Sequence, residues 1–148
     1  MSKKDDQMKD EEFMKIAIEE AKKGDFPFGA VITQDDKIVS RSHNTLEKLD
    51  PTAHAEINAI RKACKKLNTR NLTGCTLYIT SEPCPMCFIV ALRTGISKIV
   101  YGTDFEDLPK NLRREMDIKC SHLNEEFGNK IEIKGNVLRE ECIKLFKR

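Results

Sequence analysis

Two short motifs, far apart in the sequence, constrain this chain more than any other feature. The first is His54-Ala55-Glu56, and the second is Pro83-Cys84-Pro85-Met86-Cys87. Together they supply one imidazole and two thiols, which suit Zn²⁺, and one carboxylate that is not needed as a ligand. A fold that uses both motifs must bring these two segments together around a single ion.

Three protein ligands leave the fourth tetrahedral position of zinc free for water. A metal with an open position and a neighbouring carboxylate is the equipment that activates a water molecule. We therefore predict one zinc ion per chain, bound by His54, Cys84 and Cys87, with Glu56 as the catalytic proton carrier. This pattern corresponds to the H-x-E and P-C-x-x-C signature of zinc nucleobase deaminases.

Other interpretations of the same residues exist. A C-x-x-C pair can be a redox pair or half of a structural zinc site. A structural site needs a fourth ligand, and the remaining histidines and cysteines lack the paired spacing of a second half-site. Glu56 could also be a first-turn carboxylate that complements the helix dipole.

Both motifs fall at the predicted N-termini of helices. Residues two apart in mid-helix point to nearly opposite sides, so His54 and Glu56 can share a target only at the first turn. Cys84 and Cys87 are three apart and face the same side. The partial positive charge of a helix N-terminus also favours thiolate over thiol at these cysteines.

Composition describes a folded chain of ordinary charge. Its 148 residues fit one domain with a core, and 26 basic against 24 acidic residues give a net charge of +2. Nucleic-acid binders usually carry a strong basic excess or a clustered basic face, so composition leans towards a small substrate. A cluster of basic residues is interpreted as a solvated helix face: Arg61, Lys62, Lys65, Lys66 and Arg70.

The sequence shows no apolar run long enough to span a bilayer and no apolar segment of a secretory signal near its N-terminus. The six cysteines, without a sign of secretion, indicate a reducing compartment. We therefore expect a cytoplasmic protein with no membrane partner.

Hydrophobic periodicity and turn residues predict alternating helices and strands. The predicted helices lie near 10–23, 54–67, 84–94, 107–117 and 138–146, and the predicted strands near 30–33, 38–41, 75–80, 98–101 and 131–134. Residues 1–9 are expected to be disordered, and the first two strands to form a hairpin. The pattern predicts one α/β domain over residues 1–148, a three-layer α/β/α arrangement with a mixed central sheet.

With these motifs, the chain resembles the cytidine and deoxycytidylate deaminase superfamily, in the branch that holds guanine, fungal cytosine and tRNA adenosine deaminases. Four segments carry the resemblance: Pro27-Phe28-Gly29-Ala30-Val31, residues 50–56, residues 59–64 and residues 81–87. The resemblance implies a cytidine deaminase-like fold, zinc on His54, Cys84 and Cys87, Glu56 as proton shuttle, and a homodimer. The implied reaction converts a nucleobase amino group to a carbonyl and releases ammonia.

The first expectation for the substrate is a free purine base or nucleoside of the guanine type. The resemblance implies that Asn44 hydrogen-bonds the substrate, and the predicted substrate contacts are Phe28, Asn44, Ala55, Ser81, Asp104 and Glu115. Guanine presents an N1–H and an amino group that want an acidic acceptor, for which Asp104, Glu115 and Glu141 are candidates. Phe28 and Phe105 could stack on a base.

Three alternatives stay open. A tRNA-specific adenosine deaminase is favoured by Ile131-Glu132-Ile133 and the residues from Val137 to Cys142, which resemble the C-terminus of those enzymes. Ser81 and the segment 104–109 are less typical of them. A cytosine or cytidine deaminase is the second alternative. The third is a catalytically silent zinc module, which would have no need of Glu56.

Overall fold

A computed structural model describes residues 2–113 and 118–147. Within them, one sheet has the strand order β2-β1-β3-β4-β5. Its strands are β1 (Gly29–Gln34), β2 (Lys37–His43), β3 (Cys75–Ser81), β4 (Lys98–Thr103) and β5 (Glu132–Lys134). β1 runs antiparallel to β2 and β3, whereas β4 runs parallel to β3 and β5. The predicted mixed sheet and its initial hairpin are therefore confirmed.

Helices cover both faces of this sheet. They are α1 (Lys3–Ala21), α2 (Ala55–Leu67), α3 (Pro85–Thr94), α4 (Cys120–Glu126) and α5 (Arg139–Ile143). Side chains alternate between the faces: Val31 of β1 and Tyr78 of β3 pack with α1, whereas Ile32 and Leu77 pack with α2 and α3. This alternation gives two buried clusters and confirms the three-layer α/β/α arrangement.

The expectation that residues 1–9 are disordered is wrong from Lys3 onwards, because α1 begins there. Ser2 caps the helix, since its hydroxyl accepts a hydrogen bond from the Asp5 amide at 3.1 Å. Asp5 and Asp6 complement the helix dipole in the first turn. The polar composition of the segment suggested disorder, although Ser2 followed by two acidic residues is a regular N-capping pattern.

The predicted helix at 107–117 is wrong in its described part. Two short 3-10 turns, Phe105–Asp107 and Lys110–Leu112, flank Pro109 instead. Leu108 is extended, as is usual for a residue before proline. Residues 114–117 lie outside the described residues. The helix α4 was not predicted, and the last predicted helix divides into α5 and a 3-10 turn at Lys144–Lys147.

Gly29 lets α1 lie directly against the start of β1. A Cβ atom at this position would lie 1.9 Å from the Ala17 carbonyl oxygen and 2.5 Å from the Ala21 amide nitrogen. Only glycine permits this approach. None of the described helices combines the length and the apolar character needed to cross a membrane.

Candidate active site

The two sequence motifs meet where α2 and α3 begin. His54 and Cys84 are the extended N-cap residues of these helices, and Pro85 occupies the first helical position of α3. The Nδ1 atom of His54 lies 3.7 Å from Cys84 Sγ and 3.5 Å from Cys87 Sγ. The chain thus brings together three potential metal ligands from the N-terminal ends of two helices.

These separations fit a zinc ion. Zn–S bonds of about 2.3 Å and Zn–N bonds of about 2.05 Å place tetrahedral N and S ligands about 3.6 Å apart. The ligand atoms of His54, Cys84 and Cys87 all lie within 4.8 Å of one another, and no fourth metal-binding side chain from the described residues joins the group. A set of three is typical of a catalytic zinc site with an open position, and not of a closed structural site.

The two thiols differ in acidity because they share a hydrogen bond. The Cys87 thiol donates to the Cys84 sulfur, which together with His54 lowers the pKa of Cys84 to about 4. The same sharing, together with burial, raises the pKa of Cys87 well above its usual range. Without metal, the pair therefore holds one proton near neutral pH, and zinc binding must release it.

Glu56 lies in the first turn of α2 and is buried. Burial and then the nearby Cys84 thiolate raise the pKa of Glu56 to about 7, while His54 opposes them. A carboxyl group that titrates near neutrality is suited to both accepting and donating a proton. The position and environment of Glu56 therefore fit general acid–base chemistry.

A cavity of about 110 Å³ opens beside this group of residues. It is smaller than the roughly 300–1,000 Å³ of pockets for drug-sized ligands, so it suits a single ring system. Its lining combines the predicted site with residues from β3, the loop after β2 and the segment after β4: Phe26, Phe28, Asn44, Leu46, His54, Glu56, Ile79, Ser81, Glu82, Cys84, Phe105, Leu108, Asn111, Leu112 and Arg113.

Three of the predicted substrate contacts line the cavity, namely Phe28, Asn44 and Ser81. The buried Asn44 accepts a hydrogen bond from the Ala55 amide through Oδ1 at 2.7 Å, which directs its NH₂ group away from the helix. The Ser81 hydroxyl is buried and has no hydrogen-bond partner among the described residues. Both side chains therefore offer polar groups for a ligand.

The other predicted contacts lie elsewhere. Ala55 does not line the cavity, and its amide is engaged by Asn44. Asp104 caps the 3-10 turn that follows it and accepts a hydrogen bond from the Tyr101 hydroxyl at 2.8 Å. Glu141 is exposed on α5. Glu115 lies outside the described residues.

The segment after β4 supplies a cavity wall that the sequence analysis did not identify, apart from Phe105. Arg113 donates to the Leu108 carbonyl at 2.8 Å and to the Glu106 carbonyl at 2.6 Å. These bonds hold Phe105 and Leu108 against the cavity. No regular periodicity marks the short 3-10 turns, so no sequence pattern could have placed them.

Glu82 was also missed as a cavity residue, although it directly precedes the second motif. Its carboxylate is buried and accepts a hydrogen bond from the Cys120 amide at 2.8 Å. Its own amide donates to the Thr103 carbonyl at 2.7 Å. Glu82 thus ties the end of β4 to the start of α4, on either side of the cavity wall.

Comparisons with known proteins agree with this geometry. The family model for the cytidine and deoxycytidylate deaminase zinc-binding region matches residues 7–103. The tRNA-specific adenosine deaminase of Bacillus subtilis (strain 168) is 40% identical over 146 residues, which cover 90% of this chain and 83% of that protein. The guanine deaminase of the same strain is 48% identical over 106 residues, which cover 68% of each chain.

A solved structure from a study of A-to-I editing by tRNA:A34 deaminases, at the wobble position of transfer RNA, has the same fold. Its TM-score is 0.78 at 30% sequence identity, and the match covers 90% of this chain and 98% of that one. The family match includes all three potential zinc ligands and Glu56. The chain is therefore a zinc-binding deaminase that belongs to the cytidine and deoxycytidylate deaminase family.

Proposed function

We propose that this protein hydrolyses adenosine to inosine in tRNA and releases ammonia. The observation that carries this proposal is the extent of the similarity. The Bacillus subtilis tRNA-specific adenosine deaminase matches 90% of the chain, against 68% for the guanine deaminase. The first expectation from the sequence, a guanine-type substrate, is not confirmed, and its alternative has the better support.

The cavity chemistry supports an adenine base. Guanine would require an acidic acceptor, and neither described candidate supplies one, because Asp104 is engaged in a turn cap and Glu141 is exposed. The one other carboxylate besides Glu56 in the described lining is Glu82, which binds the Cys120 amide through Oε2 and whose Oε1 has no partner among the described residues. Adenine offers ring nitrogens as acceptors and an amino group as donor. The Asn44 NH₂ group can donate to such a nitrogen, because its Oδ1 is held by the α2 backbone.

The proposed reaction needs one proton carrier. His54, Cys84 and Cys87 would hold a zinc ion, which would supply the Lewis acidity that makes water nucleophilic near neutral pH. Glu56 would accept a proton from a water molecule whose oxygen attacks C6 of adenine, and would pass that proton to N1. Glu56 then protonates the amino nitrogen with the second proton of the attacking water as the C6–N bond breaks. Adenosine and water thereby give inosine and ammonia.

Exposed basic residues lie beside the cavity lining in the sequence. Lys48 follows the lining residue Leu46 and the exposed Glu47, and Lys110 precedes two lining residues. Arg113 lines the cavity and is exposed. Such charges can contact the phosphates that flank a base in the cavity, which small purines lack. RNA binding should therefore weaken as the salt concentration rises.

The test is a product screen of the zinc-loaded protein. Substrates are an anticodon stem-loop RNA with adenosine at the wobble position, the same RNA with guanosine there, and free guanine, guanosine, adenosine, cytosine and cytidine. We expect inosine and ammonia from the first RNA. Turnover of guanine without reaction of either RNA would overturn the proposal in favour of a guanine deaminase.

A control variant separates catalysis from metal binding. Glu56→Gln should keep one zinc per chain and lose ammonia release, and normal turnover by this variant would refute the role of Glu56. Loss of activity here also argues against a silent zinc module, because wild-type activity then depends on a residue that such a module does not need. The proposed homodimer is tested separately by light scattering of the same preparation.

A further inference from the structure

One side chain of α2 contacts the chain on both sides of Asn44. The Asn58 Nδ2 atom donates to the His43 carbonyl at 2.8 Å and to the Thr45 hydroxyl at 3.0 Å. His43 and Thr45 are the two neighbours of Asn44 in the sequence. A single amide group therefore holds the His43 backbone and the Thr45 side chain, which lie on either side of a cavity residue.

The same amide group also reaches the residue before the first zinc ligand. Asn58 Nδ2 lies 3.3 Å from the Ala53 carbonyl oxygen, and the Thr45 amide donates to that oxygen at 3.0 Å. Ala53 directly precedes His54. The two ends of the loop between β2 and α2 thus share one hydrogen-bonded group, with Asn58 at its centre.

We infer that Asn58 is a positioning residue, which sets the Asn44 side chain against His54 and so against the base. The kinetic test of this inference rests on the proposed function, because it measures deamination of RNA. Asn58 itself does not line the cavity, so it must act through Asn44. The Asn44 side chain has little freedom once its neighbours are held and its Oδ1 accepts from Ala55.

A double-mutant cycle on kcat/KM tests this dependence, with the stem-loop RNA as substrate. Asn58→Leu keeps a similar size but removes both donors, and we expect it to lower kcat/KM about tenfold. Most of this change should appear in KM, because a contact to the base ring is made in the ground state and the transition state alike. In an Asn44→Ala background, the same substitution should change kcat/KM less than about twofold.

Asn124 provides a matched control, because it is another cross-bracing asparagine away from the cavity. It is buried, donates to the Ile131 carbonyl at 2.7 Å and accepts from the Ile131 amide at 3.2 Å. Asn124→Leu should lower the denaturation midpoint without changing kcat/KM. If Asn58→Leu lowers kcat/KM by the same factor in the wild-type and the Asn44→Ala backgrounds, the inference is wrong.

A second readout needs neither RNA nor turnover. The buried Ala55 amide donates to Asn44 Oδ1 at 2.7 Å, so its hydrogen exchange reports whether Asn44 is held in place. In the zinc-loaded full chain, Asn58→Leu should speed the exchange of this amide at least about tenfold, relative to core amides of β3. Asn124→Leu should not change that ratio.

The two readouts separate this inference from the proposed function. Wild-type protein that fails to deaminate the RNA would refute the function, whereas Ala55 exchange would still decide the role of Asn58. Unchanged Ala55 exchange in the variant would overturn the inference even if activity fell. If Asn58→Leu does not fold, Asn58→Ala also removes both donors without adding a charge and should give the same results.

Discussion

The buried carboxyl group of Glu56 makes the stability of the metal-free protein depend on pH. Its pKa rises from an ordinary 4.5 to about 7 on folding, chiefly through burial. The folded state therefore holds the proton more tightly, and stability is lost as the pH rises through this window. Between about pH 5 and about pH 8, linkage gives a loss of roughly 2–3 kcal/mol from this one group.

Urea unfolding of chelator-treated, reduced protein measures this loss. The difference in unfolding free energy between wild type and Glu56→Gln should shift by roughly 2–3 kcal/mol from about pH 5 to about pH 8, in favour of the variant. A shift below about 0.5 kcal/mol would refute the claim that burial raises the pKa of the Glu56 carboxyl group on folding.

Glu20 supplies a control of opposite sign. Burial works against the ionised Glu20 carboxylate, but hydrogen bonds from His43, Arg41 and Lys23 outweigh it and lower the pKa of Glu20 to about 2. Its stabilising contribution is present above its ordinary value of 4.5 and is lost only as the pH falls towards 2. The free-energy difference between wild type and Glu20→Gln should therefore be nearly the same at about pH 5 and about pH 8.

Three further predictions concern the metal, the packing of α1 and the cavity wall. Cys87→Ser should reduce bound zinc from one per chain to nearly none after dialysis against a chelator, measured by elemental analysis, because a serine hydroxyl is a poor zinc ligand. Gly29→Ala should lower the unfolding free energy by at least about 2 kcal/mol in urea titration, because its Cβ would overlap the α1 backbone. Arg113→Ala should raise KM for the RNA about threefold to tenfold with little change in kcat, since it frees the Leu108 and Glu106 carbonyls that shape the wall.

Helices and strands were predictable wherever apolar residues recurred with one constant spacing along a segment. β1 and β3 alternate strictly between two buried faces, and α2 keeps one apolar stripe, so both kinds of element follow from residue spacing. Between Phe105 and Arg113 the structure depends on Pro109 and on side chains that bond to nearby carbonyls. Such contacts leave no period in the sequence, and a helix was predicted there wrongly.

The chemical centre was more predictable than the cavity around it. Ligand identity and spacing point to His54, Cys84 and Cys87 without reference to a fold, and the geometry brings these three together. The wall of the cavity depends on how the segment after β4 returns across the sheet. That path is set by long-range contacts such as Glu82 with Cys120, which local patterns do not reveal.

The arrangement of charges explains why a cation belongs at this site. Without metal, the cavity holds a carboxyl group with a raised pKa and two thiols that share one proton, all largely buried beside His54. A divalent cation favours the ionised form of each group and removes the repulsion between Glu56 and the Cys84 thiolate. Metal binding therefore releases protons, and zinc affinity must fall as the pH is lowered. The burial of these groups, which destabilises the metal-free protein at neutral pH, therefore favours the binding of a divalent cation.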